Sequence, residues 1–467
     1  MINRNYCKNG NNKNNIIRKT TSRCVVCSQP VDASLIKVLD KVFLEKFCPV
    51  HGSFCLLISE HADEYMDLEK FYFNVSENNL NFWALEVDLT FECNMECPIC
   101  AWGEDVGIGK TNNQPVMDEI KRLLIKTKAK VIRFSGGEPT CRNDLFDIIK
   151  MAKKLNKKII LNTNGLKLAN FEYVKKLKQS GVDCVNLTFD GFNIEFERNM
   201  RGNNYLEPKL KALENLNSLC LPTGLNIRVV PEGNEAEIPK IIDLAKNNKN
   251  IKLLSFGTVG YLGHAQKRNI KKYLMPDQLV DIVVENACGL ISRESIRLFQ
   301  KFFITVNSFF TQRWCFYDSA AIILVRDKDS LVTLDKYIDL HDLEKILDNY
   351  ADKYKHNKIL AKICLLLGGI KVFFKIKNLR VIKEIVFRGI SFFMQKKKYL
   401  NSQLLIYVSI NTSCDRYKMD DMIAKNCIFS MAFKDENNKL SIKGSGAFIC
   451  DKISSSSNKN QLKFMGI

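Results

Sequence analysis

Several things are missing from this 467-residue chain, and each closes off a class of function. No run approaches the roughly 20 apolar residues that cross a bilayer, so no spanning helix is expected. The opening MINRNYCKNGNNKNNIIRKTTSRC is polar and basic with no apolar h-region, which argues against a secretory signal and leads us to expect a cytoplasmic protein. No dinucleotide-type glycine fingerprint follows any strand-like run. Histidine is scarce, at five residues.

Cysteine, in contrast, is abundant. Seventeen cysteines in a chain that stays in a reducing compartment are not expected to be disulfides, and metal ligation is the better reading where they cluster. Lone ones such as Cys184 and Cys220 read as small buried apolar residues. The formal charge of +19 is unevenly placed: residues 353–398 hold thirteen Lys and Arg against one acid, Glu384. Such a balance can serve nucleic acid, an anionic membrane surface or a solvated face.

Residues 1–22 are rich in Asn and Lys and read as a disordered basic tail, and 23–72 as a short Cys/His-bearing segment. Strand-like and helix-like runs then alternate across 80–265. ALEVDLT (84–90), KVIRFSG (130–136), KIILNTN (158–164), CVNLTFD (184–190), LNIRVV (225–230) and IKLLSFG (251–257) predict buried strands. Amphipathic stretches such as MDEIKRLLIKTK and DLFDIIKMAKKL lie between them. The repetition predicts an α/β fold with a parallel sheet, a partial (β/α)6 barrel of TIM type whose chemistry gathers at the C-terminal ends of its strands. The rhythm stops near residue 266, and 266–467 reads as a separate C-terminal region.

The first strand runs straight into LTFECNMECPICAW, with Cys93, Cys97 and Cys100 spaced C-x3-C-x2-C. A structural zinc site closes with four ligands, so a triplet points to a metal centre with an open position. Pro98 keeps the segment a loop, which lets three thiolates converge on an iron–sulfur cluster. FSGGEPT ends the second strand, where Gly136 and Gly137 admit close backbone approach and Glu138-Pro139 fixes the turn.

Together these motifs resemble the radical S-adenosylmethionine (SAM) superfamily, with the matching residues running from the first strand to about residue 260. The resemblance implies a [4Fe–4S] cluster on Cys93, Cys97 and Cys100, with SAM on the fourth iron. It implies that Gly136, Gly137 and Glu138, beside Pro139, meet the SAM amino group, and that Thr163 and Asn164 face its ribose and methionyl region. Thr188 and Asp190 would bond the ribose, Arg201 the carboxylate, and Ile99 and Trp102 would pack on adenine. The implied chemistry is reductive cleavage of SAM and hydrogen abstraction from an unactivated C–H bond, with electrons from a partner such as ferredoxin or flavodoxin. That abstraction needs no general base, so the few histidines are no obstacle. As simpler readings, Asp190-Gly191 and Asn164-Gly165 are turns and Arg201 a surface charge.

Ahead of the barrel, CVVC and CPVHG place Cys24, Cys27, Cys48 and His51 at the spacing of a structural site for zinc or mononuclear iron, with Cys55 in reserve. A CxxC…CPxHG knuckle before such a core resembles the subgroup that contains archaeal tetraether lipid synthases and a dihydropterin methyltransferase. In that subgroup the distal cysteines hold auxiliary iron–sulfur clusters, which makes Cys315, Cys414, Cys427 and Cys450 the candidate ligands here. RWCFYD stands where that subgroup has a Pro-rich, multi-cysteine segment, and AFIC replaces its Pro-Phe-Cys ending.

The stretch ICLLLGGIKVFFKIKNLRVIKEIVFRGISFFMQKKK carries Lys371, Lys375, Arg380, Lys383 and Arg388 among bulky apolar residues. It reads as amphipathic helices, either lying in a membrane interface or packing an apolar face with a solvated basic side. No nucleic acid is expected, because Phe373, Phe374, Phe392 and Phe393 look buried rather than set out as stacking platforms. The resulting expectation is C–C bond formation or alkylation of a lipid or lipid-like substrate, with peripheral contact at the inner membrane face. Peptide modification is the alternative, and a non-enzymatic iron–sulfur or zinc redox sensor the outside one.

Overall fold

The computed structural model describes residues 15–75, 84–111, 114–260, 263–267, 274–310, 315, 319–376, 378, 380–384, 403–412, 420, 429–434 and 440–444. Order begins earlier than composition suggests. Strands β1 (Ile16–Arg23), β2 (Pro30–Val38), β3 (Lys41–Cys48) and β4 (Gly52–Ser59) form an antiparallel meander, and helix α1 (Ala62–Val75) packs on it. Residues 16–22, expected in the tail, instead pair along β2, with Thr20 opposite Ala33. The reason is long-range: Arg18 donates to Glu69 at 2.9 Å and to Asp420 at 2.6 Å, partners that local composition cannot reveal.

The six expected barrel strands are present with nearly the expected bounds. They are β5 (Ala84–Thr90), β6 (Val131–Gly136), β7 (Lys158–Thr163), β8 (Cys184–Thr188), β9 (Thr223–Val229) and β10 (Ile251–Thr258), all parallel and adjacent in order. Helices α2 (Met117–Lys126), α3 (Leu145–Lys154), α4 (Phe171–Ser180), α5 (Ile194–Arg201), α6 (Leu206–Ser218) and α7 (Ile238–Asn247) fill the connections. The strand pleat divides the side chains between two environments. Leu85, Val87, Ile132, Phe134, Leu161 and Val185 pack outward with the helices. The alternate positions face inward: Ala84, Val131, Ile160 and Cys184 form a separate small apolar cluster at the strand starts. Above it the inward positions turn polar.

After β10 come α8 (His264–Lys267), α9 (Pro276–Asn286), α10 (Arg293–Phe309), β11 (Ser319–Asp327), β12 (Ser330–Thr333), α11 (Leu340–His356), α12 (Lys358–Lys375), β13 (Leu405–Asn411), β14 (Phe429–Lys434) and β15 (Leu440–Gly444). This region is not separate. β13 adds in parallel to β10, β14 adds in parallel to β5, and the whole forms one eleven-stranded sheet. An open parallel sheet has two unpaired edges, and the distal strands satisfy both. The buried Arg326 secures one junction by donating to the carbonyls of Ala245, Asn248, Ile251 and Gln403. Two smaller expectations also fail. Cys220 is exposed in a left-handed turn after α6, and Phe374 lies on the open side of α12. Arg388, Phe392 and Phe393 lie outside the described residues.

Candidate active site and metal centre

In the N-terminal sheet, the β1–β2 and β3–β4 turns bring Cys24, Cys27, Cys48 and His51 together, with one donor atom from each lying within 4.8 Å of all the others. Cys27 Sγ is 3.9 Å from Cys48 Sγ, and His51 Nδ1 is 3.5 Å from Cys48 Sγ and 3.7 Å from Cys24 Sγ. A tetrahedral zinc ion with bonds of about 2.3 Å to sulfur and 2.0–2.1 Å to nitrogen has edges of about 3.8 Å (S···S) and 3.6 Å (S···N). These three separations match the edges of such an ion, and the four residues therefore fit it as a ligand set. Although burial opposes it, His51 and the amides of Val50 and His51 draw the Cys48 thiol down to about 6, toward the thiolate a metal needs. Cys55 sits on β4 packed with Ile36 and Phe43 and is disulfide-bonded, an exception to the expectation of reduced thiols.

At the C-terminal mouth of the barrel, Cys93 is buried and Cys97 and Cys100 half-buried on the loop after β5. Burial raises the Cys93 thiol to about 12, and Glu138, Cys97 and Cys141 add to the shift. Cys97 is also raised by burial, with Cys100 adding to it, while Arg201 and Lys209 pull the other way. Cys93 and Cys97, raised in this way, suit a cation that displaces their protons, and with Cys100 on the same loop they fit the iron of a cluster. Cys141, just past the Gly-Gly turn, is a nearby fourth thiol that the motif reading passed over.

The loop is held by backbone contacts from several strand ends. Gly137 N donates to Thr90 O at 2.7 Å and Glu138 N to Glu92 O at 2.8 Å. A Cβ on Gly136 or Gly137 would stand 2.3 Å from those same carbonyls, so both glycines are required by packing against the cysteine loop itself. From the far side of the barrel, Gly263 has φ +56°, and a Cβ there would lie 2.4 Å from Cys100 O and 2.5 Å from Ala101 O. His264 N donates to Cys100 O at 2.9 Å, and its Nδ1 lies 3.2 Å from Cys97 O. The sequence reading missed Gly263 and His264, since nothing local marks a glycine 160 residues away as packing on the motif.

Glu138 is a buried hub. Its carboxylate accepts from Thr140 N (3.1 Å), Thr140 Oγ1 (2.7 Å), Thr163 Oγ1 (2.7 Å) and Asn164 N (2.7 Å). Asn164 Nδ2 in turn donates to Asn94 Oδ1 on the cysteine loop at 2.8 Å. Thr163 and Asn164 thus tie β7 to the cysteine loop, more than forming a simple turn. Asp190 is likewise engaged, accepting from Arg201 Nε and Arg228 N at 2.7 Å each. Both carboxylate oxygens are thus engaged, and Asp190 orients Arg201. Burial alone would raise the Asp190 carboxyl, but Arg201, Lys209 and the Arg228 amide hold it below the ordinary Asp value. Arg201 is no surface charge: it is half-buried beside Cys97, and its Nη2, itself buried, has no hydrogen-bond partner among the described residues. A buried guanidinium nitrogen without an acceptor is a fitting place for a ligand carboxylate. Thr188 ends β8 on the inner face, Ile99 and Pro139 are buried, and Trp102 meets Phe91 edge to face at 5.9 Å.

Cys315 is buried in the apolar cluster that contains Leu298 and Tyr350. Cys414, Cys427 and Cys450 lie outside the described residues. Among the described residues no helix is long and apolar enough to cross a membrane.

Comparison with known proteins agrees with this geometry. Residues 87–245 match the radical SAM superfamily model, and residues 16–60 match the HMPTM N-terminal zinc ribbon domain. The chain is 26% identical to the 7,8-dihydro-6-hydroxymethylpterin dimethyltransferase of Methanocaldococcus jannaschii, over 90% of this chain and 91% of that protein. It is 28% identical to a probable GTP 3′,8-cyclase of Thermoplasma volcanium, over 45% of this chain and 65% of that one. Streptococcus suis SuiB bound to S-adenosylmethionine aligns at 19% identity with a TM-score of 0.39, over 47% of this chain and about half (49%) of its own. The motif and the strand order, with these two family matches, place a radical SAM superfamily domain at residues 87–245 behind an N-terminal zinc ribbon domain at residues 16–60.

Proposed function

We propose that this chain directs SAM radical chemistry at a small, polar, hydrogen-bonding molecule held inside the barrel. The observation that carries the reading is the inner face of the sheet. Above the apolar floor, the inward positions are Glu86 and Asp88 on β5, Arg133 on β6, Asn162 on β7, Asn186 on β8 and Arg228 on β9. Asn186 Nδ2 donates to Asn162 Oδ1 at 3.1 Å, and Arg133 lies 3.8 Å from Glu86. Two carboxylates set against two guanidiniums leave this inner wall polar without a strong net sign. Such a wall suits a heterocycle with both donor and acceptor edges. A molecule that cannot hydrogen-bond would be rejected about 10⁴-fold or more by a site built this way.

In this reading Cys93, Cys97 and Cys100 hold the cluster. The Gly136–Pro139 turn and Arg201 take the amino and carboxylate ends of SAM, Ile99 and Trp102 its adenine, and Thr188 its ribose. Bound there, the cluster supplies the electron that splits SAM and so allows hydrogen abstraction from an unactivated C–H bond. The ribbon ion is structural, zinc or iron. The name of the Methanocaldococcus relative, which aligns over nine-tenths of this chain, supports a reduced pterin as the substrate class. A lipid substrate, expected from the sequence, is a second reading favoured by the exposed apolar side of α12, not by the barrel interior.

The test is anaerobic reconstitution followed by measurement of 5′-deoxyadenosine released from SAM under reductant. Release should rise with 7,8-dihydro-6-hydroxymethylpterin and stay at the background level with an isoprenoid lipid or a peptide. Stimulation by the lipid alone would overturn the polar reading. Undiminished release from the Cys93/Cys97/Cys100→Ala variant would overturn the cluster assignment.

A further inference from the structure

Helix α12 presents a surface that the barrel chemistry does not use. At 100° per residue, Ile359, Leu360, Ile363, Leu366, Leu367 and Ile370 fall, with Phe374, inside one sector of about 120°. All seven are exposed, from 45% at Leu360 to 81% at Phe374. The opposite sector holds the helix to the protein. Ala361 and Val372 are buried, Leu365 packs into the cluster around Tyr350, and a Cβ on Gly368 would stand 2.9 Å from Ile346 of α11. Lysines line both borders of the apolar sector. Lys371 follows one edge together with Lys375, which pairs with Asp342 of α11, and Lys358 and Lys362 follow the other. Lys358 rests over the Tyr354 ring, and Lys362 donates to Phe309 O at 3.0 Å. The helix contains no acidic residue.

We propose that this face of α12 docks on an anionic lipid bilayer. A contiguous apolar stripe this long on a helix that cannot span a membrane marks a contact surface, and the orientation it fits is in the plane of the interface. The lysine borders select the partner. They complement anionic headgroups and place the apolar sector between them at the acyl boundary. A second copy of the chain would bring the same cations face to face, which disfavours a homodimer through this helix. A nucleic acid would leave the central apolar sector facing phosphates. The docking is independent of which molecule occupies the barrel, so its failure would leave the reaction assignment intact.

The experiment is co-sedimentation of the full-length protein with phosphatidylglycerol/phosphatidylcholine vesicles and with pure phosphatidylcholine vesicles. Pelleting is expected with the anionic vesicles only, falling as salt is raised. Lys371→Glu should weaken the partition constant at least about fivefold, the worth of one lysine at such a surface. Ile363→Asp with Ile370→Asp should abolish pelleting while leaving the melting temperature unchanged, because both side chains are exposed. Equal pelleting with neutral vesicles, or full pelleting of the double Asp variant, would overturn the proposal. So would a wild-type dimer that the double variant dissociates, since the occupant would then be a second copy.

Discussion

Gly263→Ala tests whether the cysteine loop is positioned from across the barrel. The added methyl would lie 2.4 Å from Cys100 O and 2.5 Å from Ala101 O, both backbone atoms that no rotamer change can move aside. Restoring an ordinary contact of 3.4 Å requires a retreat of about 1 Å by the loop carrying Cys97 and Cys100. The left-handed backbone at φ +56° adds about 1–2 kcal/mol of strain for any L-residue. Misplacement of reacting groups by 1 Å costs about 100-fold in rate. The expected outcome is therefore a fold that persists with a modest loss of stability, while 5′-deoxyadenosine release drops about 100-fold and iron per chain falls after anaerobic reconstitution. The assay pairs iron and sulfide analysis with quantified 5′-deoxyadenosine and a urea melt. Full iron content at the wild-type rate would refute the reasoning, because it would mean that the Cys100 backbone tolerates the displacement.

Three further outcomes follow from the same contacts. Asp190→Asn strands the half-buried Arg201 without the buried carboxylate it pairs with and should cost about 3–5 kcal/mol in urea unfolding. Because the folded state holds the Asp190 carboxyl low, that stability is present above the ordinary Asp value near pH 4 and lost as pH falls through the lower folded one; the acid limb of apo-protein unfolding should shrink in the Asn variant. Glu138→Gln turns an amide donor toward either Asn164 N–H or the Thr140 and Thr163 donors and should destabilise by about 2–4 kcal/mol, measured by thermal melts. His51→Ala should remove about one equivalent of ribbon metal while leaving cluster iron in place, since its Nδ1 closes the Cys24–Cys27–Cys48 set and touches no group at the barrel mouth; metal analysis reads both.

How much of this was legible in the sequence depended on how local each signal was. The six parallel strands were found within a few residues because each is a short β-rich run bounded by turn residues. The four side chains that the ribbon brings together were picked out because metal-ligand spacing survives in one dimension. Sequence could not tell that β13 and β14 belong to the barrel sheet, since only the geometry of two open edges decides which distant strands pair there. Nor could it separate the two roles of Gly136 and Gly137. The motif marks them for SAM, and the packing shows that Thr90 and Glu92 already require them.

By itself, then, the order of residues determined the chemistry available here: three thiols on one loop, a glycine turn at the next strand end, and four metal donors ahead of them. Tertiary structure alone decided what that chemistry faces. It turned Asp190 inward to orient Arg201, brought Gly263 and His264 against Cys97 and Cys100, and gathered charged and amide side chains from five successive strands onto one inner wall. The physical reason is that alternation along a strand assigns each side chain a face, while only the packing around the assembled sheet determines whether that face meets helices, solvent or other strands' side chains.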